Sequence, residues 1–431
     1  MTPVVARPSV CLRLFATSCV SLSLIAVRAG APQGDEAPPR FTAGALLPPA
    51  VTQGPHYQVD DAVQTEGYFH EFSISSDFGP FRAVGRSELT VRLQEVAALA
   101  ALQDVSKTEV FLSAAGQSVV KVGQSAAAVV TDPAGSVKGM GVGIKRVGVN
   151  LGRRTKSAVS SDSDADGTGG DEGTQKDSAG AAAAKSALGV NGAMRRWAQK
   201  VGVDPYTTNA VLQKALADIA KVDAAGSIAT KVVVPIPAVV GMTSSIGDLV
   251  WSKDPQELSK LNEQGLRELA VPEPAAKRLL GNPWFTPTYQ TRFVAALRAV
   301  KAAGAADYVT TAGEAGTARE ALFFVESAAM LQQEHARAPV KGILTDSRAM
   351  VALGAGNRAR ALLPLDWVAW TAATHAALRE MSDRTRKELG ATGLDLALTG
   401  RPSDRARREL TQSGWVVVPA AMVTEIGRAH V

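Results

Sequence analysis

The run Thr399-Gly400-Arg401-Pro402-Ser403 lies between a predicted strand and a predicted helix. At the start of a helix, free backbone N–H groups and the helix dipole favour an anion. The side chains of Thr399, Arg401 and Ser403 add further hydrogen-bond donors. We therefore predict an anion-binding site formed by Thr399, Gly400, Arg401 and Ser403.

The stretch LALTGRPSDRARREL, which contains this run, resembles the second motif of haloacid-dehalogenase-type phosphatases, a hydrophobic strand that ends in Thr or Ser. The resemblance implies phosphate chemistry and an upstream strand that ends in Asp-x-Asp. Two upstream aspartates, Asp346 and Asp366, are followed at the second position by Arg348 and Val368. Asp346 and Asp366 are expected at the same sheet edge as Arg401. The alternative interpretation is a well-capped helix with surface arginines.

A second candidate is the basic, glycine-rich segment Val137–Lys156, where apolar residues recur at spacings of three and four. Each Lys or Arg close to an anionic membrane surface contributes about 1 kcal/mol to binding. We predict contact with an anionic membrane surface or a protein partner, or alternatively a glycine-rich element packed on its own domain with solvated charges. The contact residues of this prediction are Lys138, Lys145, Arg146, Arg153 and Arg154.

An acidic stretch, Ser160–Gly180, follows the basic segment directly. Its opening, Asp162-x-Asp164-x-Asp166-Gly167, resembles the start of an EF-hand calcium loop. Gly173 stands where that loop needs its bidentate Glu, so we interpret the stretch as a solvated linker. The sequence predicts no metal site and no cofactor.

The first residues have the features of an export signal, with Arg7 and Arg13 before the apolar run Leu14–Val27. Fourteen residues are too few to span a bilayer. We therefore expect an exported protein of the periplasm or cell envelope, or alternatively a lipoprotein anchored through Cys19. Both cysteines lie in this segment, so the exported chain would be free of disulfides.

Removal of the three arginines of the signal leaves 43 basic residues against 41 acidic ones, a net charge of +2. Such a balance gives no reason to expect a nucleic-acid partner. The sequence leaves the oligomeric state open.

Hydrophobic periodicity predicts a helix-rich α+β fold with a hairpin-plus-helices unit at the N-terminus, a helical middle and a small C-terminal α/β unit. The last seven residues resemble the translation of a common sequencing adapter, GAGATCGGAAGAGCACACGTC, and are left out of this assignment. The predicted divisions are an export signal (1–29), a disordered lead-in (30–55), an N-terminal α+β unit with the basic segment (56–156), an acidic linker (157–186), a helical domain (187–335), an α/β unit (336–424) and the adapter-like end (425–431).

Two functions are consistent with these features. The first is a non-catalytic envelope or periplasmic protein that binds an anionic surface or partner. The second is a hydrolase, or an enzyme that binds an anion such as phosphate, with its site in the C-terminal α/β unit. The sequence alone does not decide whether the protein is an enzyme.

Overall fold

The structure, a computed structural model, describes residues 34–108, 111, 189–226 and 244–420. Within these ranges the fold is mixed α+β and rich in helix, which confirms the predicted fold class. It contains an antiparallel sheet near the N-terminus, a group of helices in the middle and a five-stranded sheet near the C-terminus.

The N-terminal sheet is centred on β5, a strand whose alternating side chains His70, Phe72 and Ile74 are buried. This alternation predicts the strand, and the turn at Asp77–Pro80 predicts the hairpin that the structure contains. All pairings in this sheet are antiparallel. The strands are β1 (Arg40–Thr42), β2 (Gln53–Gly54), β3 (Tyr57–Val59), β4 (Ala62–Glu66), β5 (Phe69–Ser76) and β6 (Phe81–Val84).

The lead-in that the sequence predicts to be disordered has defined structure from Gly34 onward. It contains β1, β2 and two single-turn helices, α1 (Ala43–Leu46) and α2 (Pro49–Thr52). Composition suggests disorder here because Pro, Ala and Gly are abundant. The segment is nevertheless ordered because β1 pairs with β4 and because Ala43 and Leu47 enter the core of the N-terminal sheet.

Helix α3 (Arg86–Ser106) connects this sheet to the helical middle. Its first half buries Leu89 and Leu93 against the sheet. Its second half buries Leu99 and Leu102 against two helices that follow in the chain. These are α4 (residues 189–200) and α5 (Ala210–Gly226).

Two Asp-Pro pairs in this region, Asp204-Pro205 and Asp254-Pro255, predict helix starts with Asp as the N-cap and Pro in the first turn. Asp254 and Glu257 form the predicted capping box at the start of α7. Asp204-Pro205, in contrast, forms a turn, and α5 begins later because Asn209 caps it. The remaining middle helices are α6 (Ser244–Ser252), α7 (Pro255–Glu268), α8 (Glu273–Gly281), α9 (Pro287–Val300), α10 (Ala305–Ala312) and α11 (Ala318–Arg337).

The C-terminal sheet has the order β13-β11-β9-β8-β7, with parallel pairing from β13 to β9 and antiparallel pairing from β9 to β7. Two helices follow its strands, and a separate two-stranded parallel sheet joins β10 to β12. The elements are β7 (Gly342–Asp346), β8 (Ala349–Leu353), β9 (Arg358–Leu363), β10 (Trp367–Val368), α12 (Ala372–Leu389), β11 (Gly393–Leu398), β12 (Arg401–Pro402), α13 (Asp404–Gln412) and β13 (Trp415–Pro419).

This sheet is buried on both faces. Met350 and Leu362 pack in the same core as α9 to α11, whereas their neighbours Val351 and Leu363 pack in the core that contains α12 and α13. Strands covered on both faces have apolar runs, such as Ala349–Leu353 of β8 and the last three residues of β9. The helical middle therefore covers one face of the C-terminal sheet. One hydrophobic core extends across the domain boundary that the sequence predicts at residue 336.

Candidate functional site

The predicted anion-binding loop follows β11 and packs closely on the chain segment after β9. The Gly400 N–H donates to the Leu365 carbonyl at 2.8 Å, and the Thr399 hydroxyl donates to the same oxygen at 3.1 Å. The Arg401 N–H donates to the Asp366 carbonyl at 3.1 Å. A Cβ at position 400 would overlap the Asp366 backbone, so this approach requires glycine. These donors therefore hold two segments of the protein together.

Ser403 has an anion beside it, and that anion is the protein's own Glu36 carboxylate. The Ser403 hydroxyl donates to Glu36 at 2.6 Å and accepts from the Ala406 N–H at 2.9 Å as the N-cap of α13. The Trp370 N–H donates to the same carboxylate oxygen. Sequence reasoning missed Glu36 because it lies in the segment predicted to be disordered.

Arg401 is exposed and lies against aromatic rings. Its guanidinium carbon is 5.6 Å from the centre of the Phe41 ring and 5.5 Å from that of Trp367. The two rings contact each other edge to face at 5.2 Å. This geometry is a cation–π contact between β12, β10 and β1.

Asp366 is buried and joins the two sheets. One carboxylate oxygen accepts from the His70 N–H at 3.1 Å, and the other lies 3.4 Å from the Arg86 Nε. Arg86 also donates to the Thr399 carbonyl at 2.6 Å. The fold thus brings together Asp366, Thr399 and Arg86. Their contacts link the C-terminal sheet to β5 and α3.

Asp346 lies at the same edge of the C-terminal sheet as Asp366, because β7 and β9 run in the same direction with β8 between them. It does not share partners with Asp366: Arg384 of α12 donates to it at 2.5 Å. Burial raises the pKa of Asp346, and the Arg384 guanidinium opposes that rise. The structure therefore separates Asp346 from the Asp366–Thr399 cluster.

A cavity that the sequence analysis missed lies where α3, the 203–209 turn, α9 and α11 meet. We call it the charged cavity; its volume is about 60 Å³. Four carboxylates and two guanidinium groups line it: Glu88, Glu95, Asp204, Glu326, Arg92 and Arg292.

One side of the charged cavity is an ion-pair cluster on α3. Arg92 lies 2.9 Å from Glu88 and 2.7 Å from Glu95. The buried Glu95 carboxylate also accepts from Asn209 at 2.9 Å and from the Thr207 hydroxyl. The cluster joins α3 to the turn before α5, and its charges have partners.

The other side of the cavity is less completely paired. Burial raises the pKa of Asp204 to about 6, although Thr288 and Tyr206 donate to it at 2.6 and 2.8 Å. Burial raises the pKa of Glu326 to about 7. Among the described residues, Glu326 Oε1 and Arg292 Nη2 are buried without a hydrogen-bond partner.

The sequence does contain a signal for these groups. Glu95 lies four residues before Leu99 and seven before Leu102, so it occupies the buried stripe of α3. Glu326 likewise lies between buried neighbours on α11. An acid at an apolar position of a helical stripe indicates a buried charge, and buried charges with shifted pKa values often mark functional sites.

A larger apolar cavity of about 220 Å³ lies between α11, α12 and the edge of the C-terminal sheet. Arg319 and Phe323 line both this cavity and a small one of about 10 Å³ that also contains Asp366, Thr399 and Glu326. The apolar cavity is lined mainly by Phe69, Phe323, Leu363, Leu365, Leu378 and Met381.

The predicted export signal, the acidic linker and the last seven residues lie outside the described residues. The same holds for the predicted membrane or partner contacts, which are Lys138, Lys145, Arg146, Arg153 and Arg154. In the part of the chain that is described, no helix combines the length and apolar character needed to cross a membrane. Within the same ranges, no group of three or more His, Cys, Asp or Glu side chains is suited to a metal ion.

Comparison with protein-family models, with curated proteins and with solved structures finds no match to this chain.

Proposed function

We propose that this chain is an exported, non-catalytic binding protein whose ligand is a small, uncharged, apolar molecule held in the apolar cavity. The observation that carries the proposal is the cavity itself, about 220 Å³ in volume and lined mainly by aliphatic and aromatic side chains. Concave apolar sites of this kind are the usual sites for small ligands.

The charges around the apolar cavity favour an uncharged ligand because each has an opposite charge within the protein. Arg348 pairs with Glu320. Arg319 lies 3.8 Å from Glu71. Asp346 is paired with Arg384, as described above. A ligand with a charged group would have to displace one of these pairs and would gain little in exchange.

The hydrolase alternative has weaker support. A phosphoryl site needs donors that are available to the ligand, whereas Ser403, Gly400 and Thr399 donate to other parts of the chain. Export, location in the envelope, and contact of the basic segment with an anionic surface or partner remain part of the proposal.

Two substitutions on adjacent residues of α12 test the proposed site. Ala377 is exposed and lines the apolar cavity, and Ala376 is also exposed but does not line it. We expect Ala377→Trp to obstruct the cavity and weaken binding of the neutral fluorescent probe N-phenyl-1-naphthylamine at least about tenfold, about 1.4 kcal/mol. Ala376→Trp should bind the probe as the parent chain does.

Fluorescence titration of the three proteins measures this effect, and urea unfolding checks that all three are folded. Equal probe binding by the parent and Ala377→Trp would reject the cavity as the site. Failure of the parent chain to bind the probe, or any other neutral apolar compound of similar size, would reject the proposed function.

A further inference from the structure

Two side chains that line the charged cavity, on different helices, each carry one buried polar atom without a partner among the described residues. Glu326 of α11 is 7% exposed, and its Oε1 atom has no hydrogen-bond partner among the described residues. Arg292 of α9 lines the same cavity, and its Nη2 atom is likewise buried and unpartnered. No ion pair within 4.0 Å joins these two described side chains directly.

From this arrangement we infer a second ligand site: the charged cavity binds a small primary-ammonium compound that also carries an oxygen acceptor, such as an α-amino acid or an amino alcohol. The ammonium group donates to Glu326, and the ligand oxygen accepts from Arg292. This site goes beyond the proposed function, since it is a different cavity with the opposite chemistry.

The charges that line the cavity favour a ligand that brings positive charge. Arg92 is surrounded by two carboxylates, Glu88 and Glu95. Within the described residues, Asp204 accepts hydrogen bonds only from neutral groups, the Thr288 hydroxyl and the Tyr206 N–H. With all groups ionised, four acids face two arginines, so the lining carries two excess negative charges. An ammonium group next to Glu326 would offset the local negative charge. Ethanolamine would also lower the net charge of the cavity, whereas zwitterionic glycine would leave it unchanged.

The unpartnered atoms explain why the ligand must also accept a hydrogen bond. A buried donor or acceptor left without a partner is destabilising. A simple ammonium ion would satisfy Glu326 and leave the Arg292 donor unpaired, and a simple carboxylate would do the reverse. One molecule with both groups satisfies both side chains.

The size of the cavity limits the ligand to a few heavy atoms. One water molecule needs about 10–15 Å³ of cavity volume, so 60 Å³ accommodates roughly four to six such positions. Glycine and ethanolamine are of this size. A ligand with a large side chain would exceed this volume.

The test is calorimetric titration of the 431-residue chain at about pH 8, where the Glu326 carboxylate is mostly ionised, with glycine, ethanolamine, methylammonium and acetate. We expect glycine, ethanolamine or both to bind at least about tenfold more tightly than methylammonium and acetate, which each carry only one of the two groups. Binding of glycine alone would specify an amino acid, and binding of ethanolamine alone an amino alcohol; either supports the inference.

Two variants assign the binding to this cavity. Glu326→Gln keeps the shape of the side chain and should lower the affinity at least about tenfold, since the ammonium loses its charged acceptor. Arg298→Gln is the control: it lies on the same helix as Arg292 but pairs at the surface with Glu268, and it should not change the affinity.

The inference is overturned if neither glycine nor ethanolamine binds at about 10 mM, roughly −2.7 kcal/mol. It is equally overturned if Glu326→Gln binds as the parent does, or if methylammonium or acetate binds as tightly as glycine and ethanolamine. Because Ala377 does not line the charged cavity, Ala377→Trp should leave ammonium binding intact, so this inference and the proposed function can fail separately.

Discussion

The Thr399–Ser403 loop and the charged cavity both gather polar groups, but they differ in how completely those groups are paired. In the loop, Ser403 donates to Glu36, and backbone donors reach the carbonyls of Leu365 and Asp366. In the cavity, Glu326 Oε1 and Arg292 Nη2 are buried without partners among the described residues.

The difference shows why a local motif is a weaker guide to function than unsatisfied burial. A strand–loop–helix sequence supplies donors wherever it occurs. In this protein Ser403 holds the N-terminal segment through Glu36, and the backbone donors of the loop hold the segment after β9. Unpaired buried groups cost stability. Two of the eight such atoms among the described residues belong to side chains that line the charged cavity, which makes this cavity the better candidate for a ligand. We therefore interpret the loop as structural and the charged cavity as a candidate binding site.

If the Asp366 cluster is structural, its removal should have the largest effect on stability. Asp366→Ala leaves the Arg86 guanidinium and the His70 N–H without their carboxylate, and loss of one partner of a buried pair costs about 3–5 kcal/mol. Urea unfolding measures the change in the free energy of unfolding.

The matched control for Asp366→Ala is Asp383→Ala, an exposed aspartate on α12, for which a surface change of no more than about 0.5 kcal/mol is expected. If Asp366→Ala lowers the free energy of unfolding by less than about 1 kcal/mol, a structural role is contradicted and the loop again becomes a candidate binding site.

For the charged cavity we expect the opposite result: removal of a charge should increase the stability of the protein. Burial raises the pKa of Glu326 from its ordinary 4.5 to about 7. Between these pH values the folded protein binds the proton and the unfolded chain does not, so stability falls as the pH rises. The amide side chain of the Glu326→Gln variant does not titrate. The free energy of unfolding of this variant should therefore exceed that of the parent by about 3 kcal/mol at about pH 8, and by little near pH 4.5.

Urea unfolding at both pH values measures this difference. Asp204 titrates in both proteins and its pKa is raised in the same direction, so the variant retains a fall in stability up to about pH 6. A Glu326→Gln protein less stable than the parent at the higher pH would mean that the carboxylate is paired in solution, and the contrast with the loop would disappear.

Much of the fold follows from sequence periodicity. The hairpin of Phe72 and Ile74 and the C-terminal alternation of strands and helices were predictable because their apolar patterns are regular and short-range. The sequence pattern predicts one long helix over Trp367–Leu389. The helix α12 begins five residues later, at Ala372, because Trp367 and Val368 form β10 and pair with β12, a contact that no local pattern indicates.

The candidate sites were less predictable because their residues are distant in the chain. Glu36 reaches Ser403 across 367 positions, and Asp366 reaches His70 across 296. The charged cavity combines residues from α3, the turn at Asp204, α9 and α11. An acid in an apolar stripe, as at Glu326, can be recognised from sequence, but its neighbours across the cavity cannot.

The smallest expected effect distinguishes the two interpretations of the loop most directly. Arg401→Ala removes the cation–π contact with Phe41 and Trp367, which at an exposed position contributes about 0.5–1 kcal/mol. Arg408→Ala, an exposed arginine on α13, is the control and should change stability by no more than about 0.5 kcal/mol. If the loop is structural, calorimetry should detect no binding of inorganic phosphate to the parent or to either variant. Phosphate binding by the parent that Arg401→Ala abolishes would instead identify the loop as an anion site, because a small packing contact cannot produce that loss.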